Sequence, residues 1–212
     1  MSSYSQFRIY PTSFRRKVKA MKFGYKLASA AGGLCFALLF NSTAAVQETH
    51  ATGSLMGQRP PGWHLTNWVN SPPLKLQELR GNVVLVRWWT APSCPYCAAT
   101  APALNEFDAR FRERGLRVIG AYHEKEDSPA KIETVKRYAK RYGFKFPVAI
   151  DPEWRTLHEW WLDRGDHDFT SVTFLFDRQG IVRFIHPGGQ YLKGDKGYAA
   201  IKAKIEELLD EK

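Results

Sequence analysis

Two cysteines three residues apart, Cys94 and Cys97 in "WTAPSCPYCAAT", are the residues of this chain whose type and spacing most directly permit chemistry. Such a pair can form a reversible disulfide, supply half of a zinc site, or sit as two inert buried thiols. The chain holds 3 cysteines, so a zinc ion would have to recruit distant histidines to complete its four ligands. The redox reading needs only the pair itself and a suitable place in the fold.

The flanking elements supply that place. "NVVLVRWW" is a β-branched run of buried-strand length. In the stretch that follows, Leu104, Phe107 and Phe111 recur at helical spacing and Gly115 marks a stop. The pair therefore lies between the carboxyl end of a strand and the first turn of a helix, where reactive groups gather in open α/β sheets. Unpaired amides and the positive end of the dipole favour a thiolate there, so Cys94 is the nucleophile. Cys97, one turn later on the same face, is the residue that resolves a mixed disulfide. Pro95 suits the first turn because its missing N–H would have no partner.

Beyond the pair, "LRVIGAYH" and "FPVAID" read as further buried strands, "VTFLFD" and "IVRFIH" as a hairpin, and "SPAKIETVKRYAKRYG" as an amphipathic helix opened by Ser128 and Pro129. "KGYAAIKAKIEELLDEK" closes the chain as a helix with Ala199, Ile201, Ile205 and Leu208 inward. "WHLTNW" and "PLKLQELRG" read as short strands before this core. The order β-α-β-α-β-β-α describes an α/β sandwich, and the sequence shows no repeats or low-complexity tract.

The net charge of +10 on 212 residues does not indicate a nucleic-acid partner. Residues 1–44 carry Arg8, Arg15, Arg16, Lys17, Lys19, Lys22 and Lys26 and no acid, which leaves 24 basic and 21 acidic residues elsewhere. A nearly balanced domain has no electrostatic footprint for a polyanion. The cationic segment, the apolar stretch "LASAAGGLCFALLF", and Ser42 and Ala44 before a cleavage point form a secretory signal over residues 1–44. Cleavage after Ala44 would remove Cys35; uncleaved, residues 27–44 would be a membrane anchor. Residues 45–62 read as a flexible tether and 63–212 as the domain, located in the periplasm or otherwise exported.

"LQELRGNVVLVRWWTAPSCPYCAATAPALNEF", "YGFKFPVAIDPEWRTLHEWW" and "VTFLFDRQGIVRFIHPGG" together resemble the TlpA/ResA-like branch of the thioredoxin superfamily, exported disulfide oxidoreductases, over nearly all of residues 57–209. The resemblance implies a three-layer thioredoxin-like sandwich with a central mixed sheet, an N-terminal strand extension and an insertion before the last hairpin. It implies Cys94 and Cys97 as the catalytic pair and Pro102 as the proline that kinks their helix. It further implies protein substrates carrying thiols or disulfides, an upstream redox partner and no cofactor or metal. Trp89, Tyr96, Thr170 and Ser171 are the residues expected to meet the substrate. The family's tryptophan before the first cysteine is Ser93 here, and its buried acid aligns near Arg87 or Trp88. The proline facing the disulfide is Ser171, whose preceding peptide is expected to be trans. The hydroxyl of Ser171 is expected to face Cys94.

Two other classes remain open. The last hairpin also resembles that of peroxiredoxin-like members, in which Cys94 would form a sulfenic acid resolved by Cys97. A non-enzymatic copper module would use both cysteines with a histidine such as His123 or His186. Both histidines otherwise read as solvated strand-end residues, Trp63, Trp68, Trp88, Trp160 and Trp161 as core, and "HEKED" as a charged loop.

Overall fold

The structure, a computed structural model, describes residues 53–126 and 129–211. The secretory segment expected over residues 1–44, Cys35 within it, and Ser128 lie outside the described residues. Six strands form one mixed sheet in the order β1-β4-β3-β2-β5-β6. The strands are β1 (Thr66–Val69), β2 (Val83–Trp89), β3 (Leu116–Tyr122), β4 (Val148–Ile150), β5 (Thr173–Phe176) and β6 (Val182–His186). β2, β3 and β4 run parallel, and β1, β5 and β6 are antiparallel to their neighbours. Every residue of β2 is buried, because β2 is paired on both edges and covered on both faces.

Alternation along β2 divides the core in two. Val83, Leu85 and Trp89 face α1 (Pro95–Phe111), α2 (Ile132–Tyr142) and α4 (Lys196–Asp210). Val84, Val86 and Trp88 face α3 (Arg155–Trp160) and the N-terminal segment. The helix–sheet–helix layers are those of the expected sandwich. α3 was not read from periodicity: it has six residues, opened by Trp154 in a left-handed conformation.

Three local expectations are corrected. "PLKLQELRG" holds a 3-10 turn at Leu76–Leu79 instead of a strand; the Lys75 amide donates to the Glu78 carboxylate at 3.1 Å, and Leu76 and Leu79 bury one face. The supposed tether is structured from Leu55, which is buried, because Gly57 and Gln58 exchange backbone hydrogen bonds with Val182 of β6 at 2.8 and 2.9 Å. On α4, Ala199 is exposed and Tyr198 takes its place inward with Ile201, Ile205 and Leu208, the stripe falling one residue earlier.

Candidate active site

Cys94 is the N-cap of α1 and its extended backbone turns the chain from the β2 loop into the helix. The backbone N–H of Cys97 donates to Cys94 Sγ at 3.1 Å, so one of the helix's unpaired first-turn amides is aimed at this sulfur. The two cysteines form a disulfide, with Cα atoms 5.3 Å apart. Cys94 is 8% exposed and Cys97 3%, and Cys97 points into the sheet-facing core with Ala101 and Leu104. Cys94 is the more exposed of the two. Pro95 occupies the first helical position and Pro102 lies inside α1, exposed, on the face away from the sheet.

Of the aromatic residues expected at the surface, one is there. Tyr96 is 46% exposed and stands edge-on to Phe169, itself 39% exposed, at 6.1 Å. Trp89 is a correction: it is 1% exposed, enclosed edge-on by Tyr122 at 5.0 Å, Phe144 at 5.3 Å and Tyr142 at 5.8 Å. The alternation of β2 turns it inward under α1, where a large ring is held by other rings and cannot reach a substrate.

Thr170 is half-buried and Ser171 buried, at the entry to β5. The peptide before Ser171 is trans; the one cis bond among the described residues is Ala91–Pro92. The Ser171 hydroxyl does not serve Cys94 as expected. It accepts from the Gly189 N–H at 3.1 Å, because the Gly188-Gly189 turn, with both φ values positive, carries that backbone against the start of β5. A side chain at Gly188 would overlap the β-carbon of Phe169, so this glycine permits the close approach that sets Phe169 beside Tyr96.

Neither histidine is a solvated strand end. His123 is fully buried, edge-on to Trp154 at 4.8 Å, with no hydrogen-bond partner for either ring nitrogen among the described residues. Burial pushes its pKa down to about 3, with the charges of Lys125 and Arg87 adding to the shift. His186 is half-buried against Tyr191 at 5.2 Å and is likewise shifted down by burial, then by Arg87. No cluster of three metal-ligating side chains occurs among the described residues. In "HEKED", Glu124 is tied back: its carboxylate accepts from the Tyr122 hydroxyl at 3.0 Å and from the Lys125 amide at 2.9 Å.

The family model described as "AhpC/TSA family" matches residues 56–185. The chain belongs to the AhpC/TSA family. The AhpC/TSA match and the packed segment beginning at Leu55 start within a residue of each other. Among curated relatives, Protein DipZ of Mycobacterium bovis is 30% identical over 159 residues, 73% of this chain and 21% of DipZ. Thiol-disulfide oxidoreductase ResA of Bacillus thuringiensis is 26% identical over 127 residues, 60% of this chain and 66% of ResA. The chain thus spans about a fifth of DipZ and under two thirds of this ResA. A solved thiol-disulfide isomerase from Corynebacterium glutamicum superposes with a TM-score of 0.59 at 26% identity, covering 74% of this chain and 98% of its own. A thioredoxin-like superfamily protein reaches 0.60 at 24% identity, covering 73% and 97%. The AhpC/TSA domain here has the thioredoxin-like fold that the motifs resemble.

Two residues at the site were missed from sequence as site residues. Phe169 had no local signal beyond its place before Thr170 and Ser171. Arg87 did have one: a lone cation inside an otherwise apolar strand, in a run too short and too apolar to have a wet face.

Proposed function

We propose that the protein is an exported thiol-disulfide oxidoreductase acting on protein substrates through Cys94 and Cys97. The observation that carries the reading is the Cys97 amide aimed at Cys94 Sγ at 3.1 Å, at the start of a 17-residue helix. This geometry favours negative charge on Cys94 over Cys97. A substrate thiolate attacks Cys94 Sγ, the Cys94–Cys97 bond breaks, and the electron pair leaves on Cys97. A second substrate thiolate then attacks the substrate sulfur of the mixed disulfide and releases Cys94, so the substrate gains a disulfide and the protein becomes a dithiol. The reverse sequence reduces a substrate, and the partner's potential sets which runs. Tyr96 and Phe169 give an extended polypeptide an apolar edge beside the reactive sulfur. The similarity to the thiol-disulfide oxidoreductase ResA and to the thiol-disulfide isomerase of Corynebacterium glutamicum supports the same class.

At mildly acidic pH, alkylation of the reduced protein should modify Cys94 selectively, and a Cys97→Ala variant should retain substrates as mixed disulfides on Cys94. Equal labelling of both cysteines refutes the roles, and peroxide turnover in place of dithiol turnover refutes the class.

Export rests on residues 1–44, whose cationic approach and apolar stretch have the order of a secretory signal, cleaved or kept as an anchor. A reporter active only outside the cytosol, fused after Gly62, should be active. Loss of that activity is expected when the fusion starts at Ala45.

A further inference from the structure

Among the described residues, Arg87 is the one lysine or arginine that is buried, at 1% exposure. Its Nη1 donates to the Ser171 carbonyl and, at 3.3 Å, to Thr173 Oγ1; its Nη2 donates to the Gly189 carbonyl at 2.6 Å. Its Cζ lies 5.1 Å from the centre of the Tyr191 ring, and its Nε has no partner among the described residues. These are carbonyls, a hydroxyl and a ring face: they solvate a cation without neutralising it. Burying a guanidinium with no carboxylate is costly, because its lost hydration is not repaid by an opposite charge, so the site holds a positive charge awaiting an anion.

The alternation of β2 places Arg87 between Leu85 and Trp89, on the face that packs against Cys97, Ala101 and Leu104 of α1. Tyr191 bridges the two: its ring lies on the guanidinium, and its N–H donates at 3.4 Å to Thr100 Oγ1, one turn beyond Cys97. We propose that Arg87 is the buried counter-charge for the thiolate that leaves on Cys97 when the disulfide opens. This inference rests on the exchange reading above. Each attack on Cys94 puts an electron pair on a sulfur 3% exposed, where opposite charges attract with little screening.

Among the described residues, no carboxylate pairs with the Arg87 guanidinium, whose hydrogen-bond partners are two carbonyls and a hydroxyl. Burial shifts His123, just after β3, and His186 of β6 downward, away from their charged forms, and shifts the Tyr191 phenol upward, likewise away from its charged form. Of the carboxylates on adjoining segments, Glu124 is held by the Tyr122 hydroxyl, and Asp195 caps α4 through the Tyr198 amide at 2.6 Å. The thiolate is the anion that the reaction itself supplies. Arg87 is thus a positioning residue for charge: it stabilises the reduced protein and makes the disulfide more oxidising.

Removing the charge should shift the equilibrium with glutathione at least tenfold toward the disulfide, about 30 mV for this two-electron couple. The experiment compares the full chain with R87M and R87K, reading that equilibrium and the ultraviolet thiolate titration. R87M should titrate at higher pH and hold its disulfide more tightly; R87K, which keeps the charge and loses the fork, should stay near the parent in both. If the parent protein does not equilibrate with glutathione, the exchange reading itself fails. If the parent does and R87M matches it, exchange stands and the counter-charge is refuted. Should R87M not fold, the parent decides: its Arg87 guanidinium nitrogen resonances must move on reduction, in step with a thiolate titration. Resonances indifferent to reduction overturn the inference.

Discussion

Arg87 and Asp151 are both 1% exposed, both charged, and lie on opposite sides of the same sheet. Asp151 is saturated. Its carboxylate accepts from Trp88 Nε1 and from the amides of Thr156 and Leu157, all at 2.9 Å, so it caps α3 and pins β2 to it. Among the described residues, Arg87 has no partner for its Nε and no carboxylate on its guanidinium. The saturated charge sits beside the buried aromatic layer of Trp88, Trp160, Phe174 and Phe176, on the side of the sheet away from the disulfide. The unsaturated one sits in the layer that contains the disulfide. A buried charge whose bonds are complete builds the fold, whereas one left incomplete is available to a reaction.

The largest effect expected from this contrast is on stability. Asp151→Ala leaves two helix amides and an indole N–H unpaired and should cost about 3 kcal/mol in urea unfolding. The thiol-disulfide equilibrium of the folded variant should not move. A shift in that equilibrium would erase the distinction between the two layers.

His123 sharpens the comparison through pH. Its folded pKa of about 3 lies below the ordinary value of 6.5, so between these pH values the unfolded chain binds a proton that the folded one refuses. Stability contributed by this group is therefore lost as pH falls below 6.5, by about 1.4 kcal/mol per pH unit. His123→Phe should flatten that slope in pH-dependent unfolding, and an unchanged slope would assign it to other groups.

The smallest effect falls at the surface. Tyr96→Ala removes one ring of the Tyr96–Phe169 edge and should raise KM for a protein substrate a few-fold, about 1 kcal/mol, with kcat and the redox equilibrium unchanged. A change confined to kcat would place Tyr96 in the chemistry instead of the docking edge.

Much of this was already determined by the sequence. The β-branched run before Cys94, the helical spacing of Leu104, Phe107 and Phe111, and Gly115 define the strand–helix junction, because periodicity and turn chemistry act within a few residues. The same local logic gives the hairpin around Arg178-Gln179-Gly180, where the Gly180 amide donates to the Asp177 carbonyl at 2.9 Å. The rest depended on partners far along the chain. Trp89 is a core residue because Tyr122, Tyr142 and Phe144 close over it. Ser171 turns from the disulfide because Gly189 reaches it, and Arg87 is a site residue because β5 and the turn after β6 bring carbonyls 84 and 102 residues away onto one guanidinium. Such contacts follow from strand order and from which face each side chain takes, and only the assembled sheet decides those together.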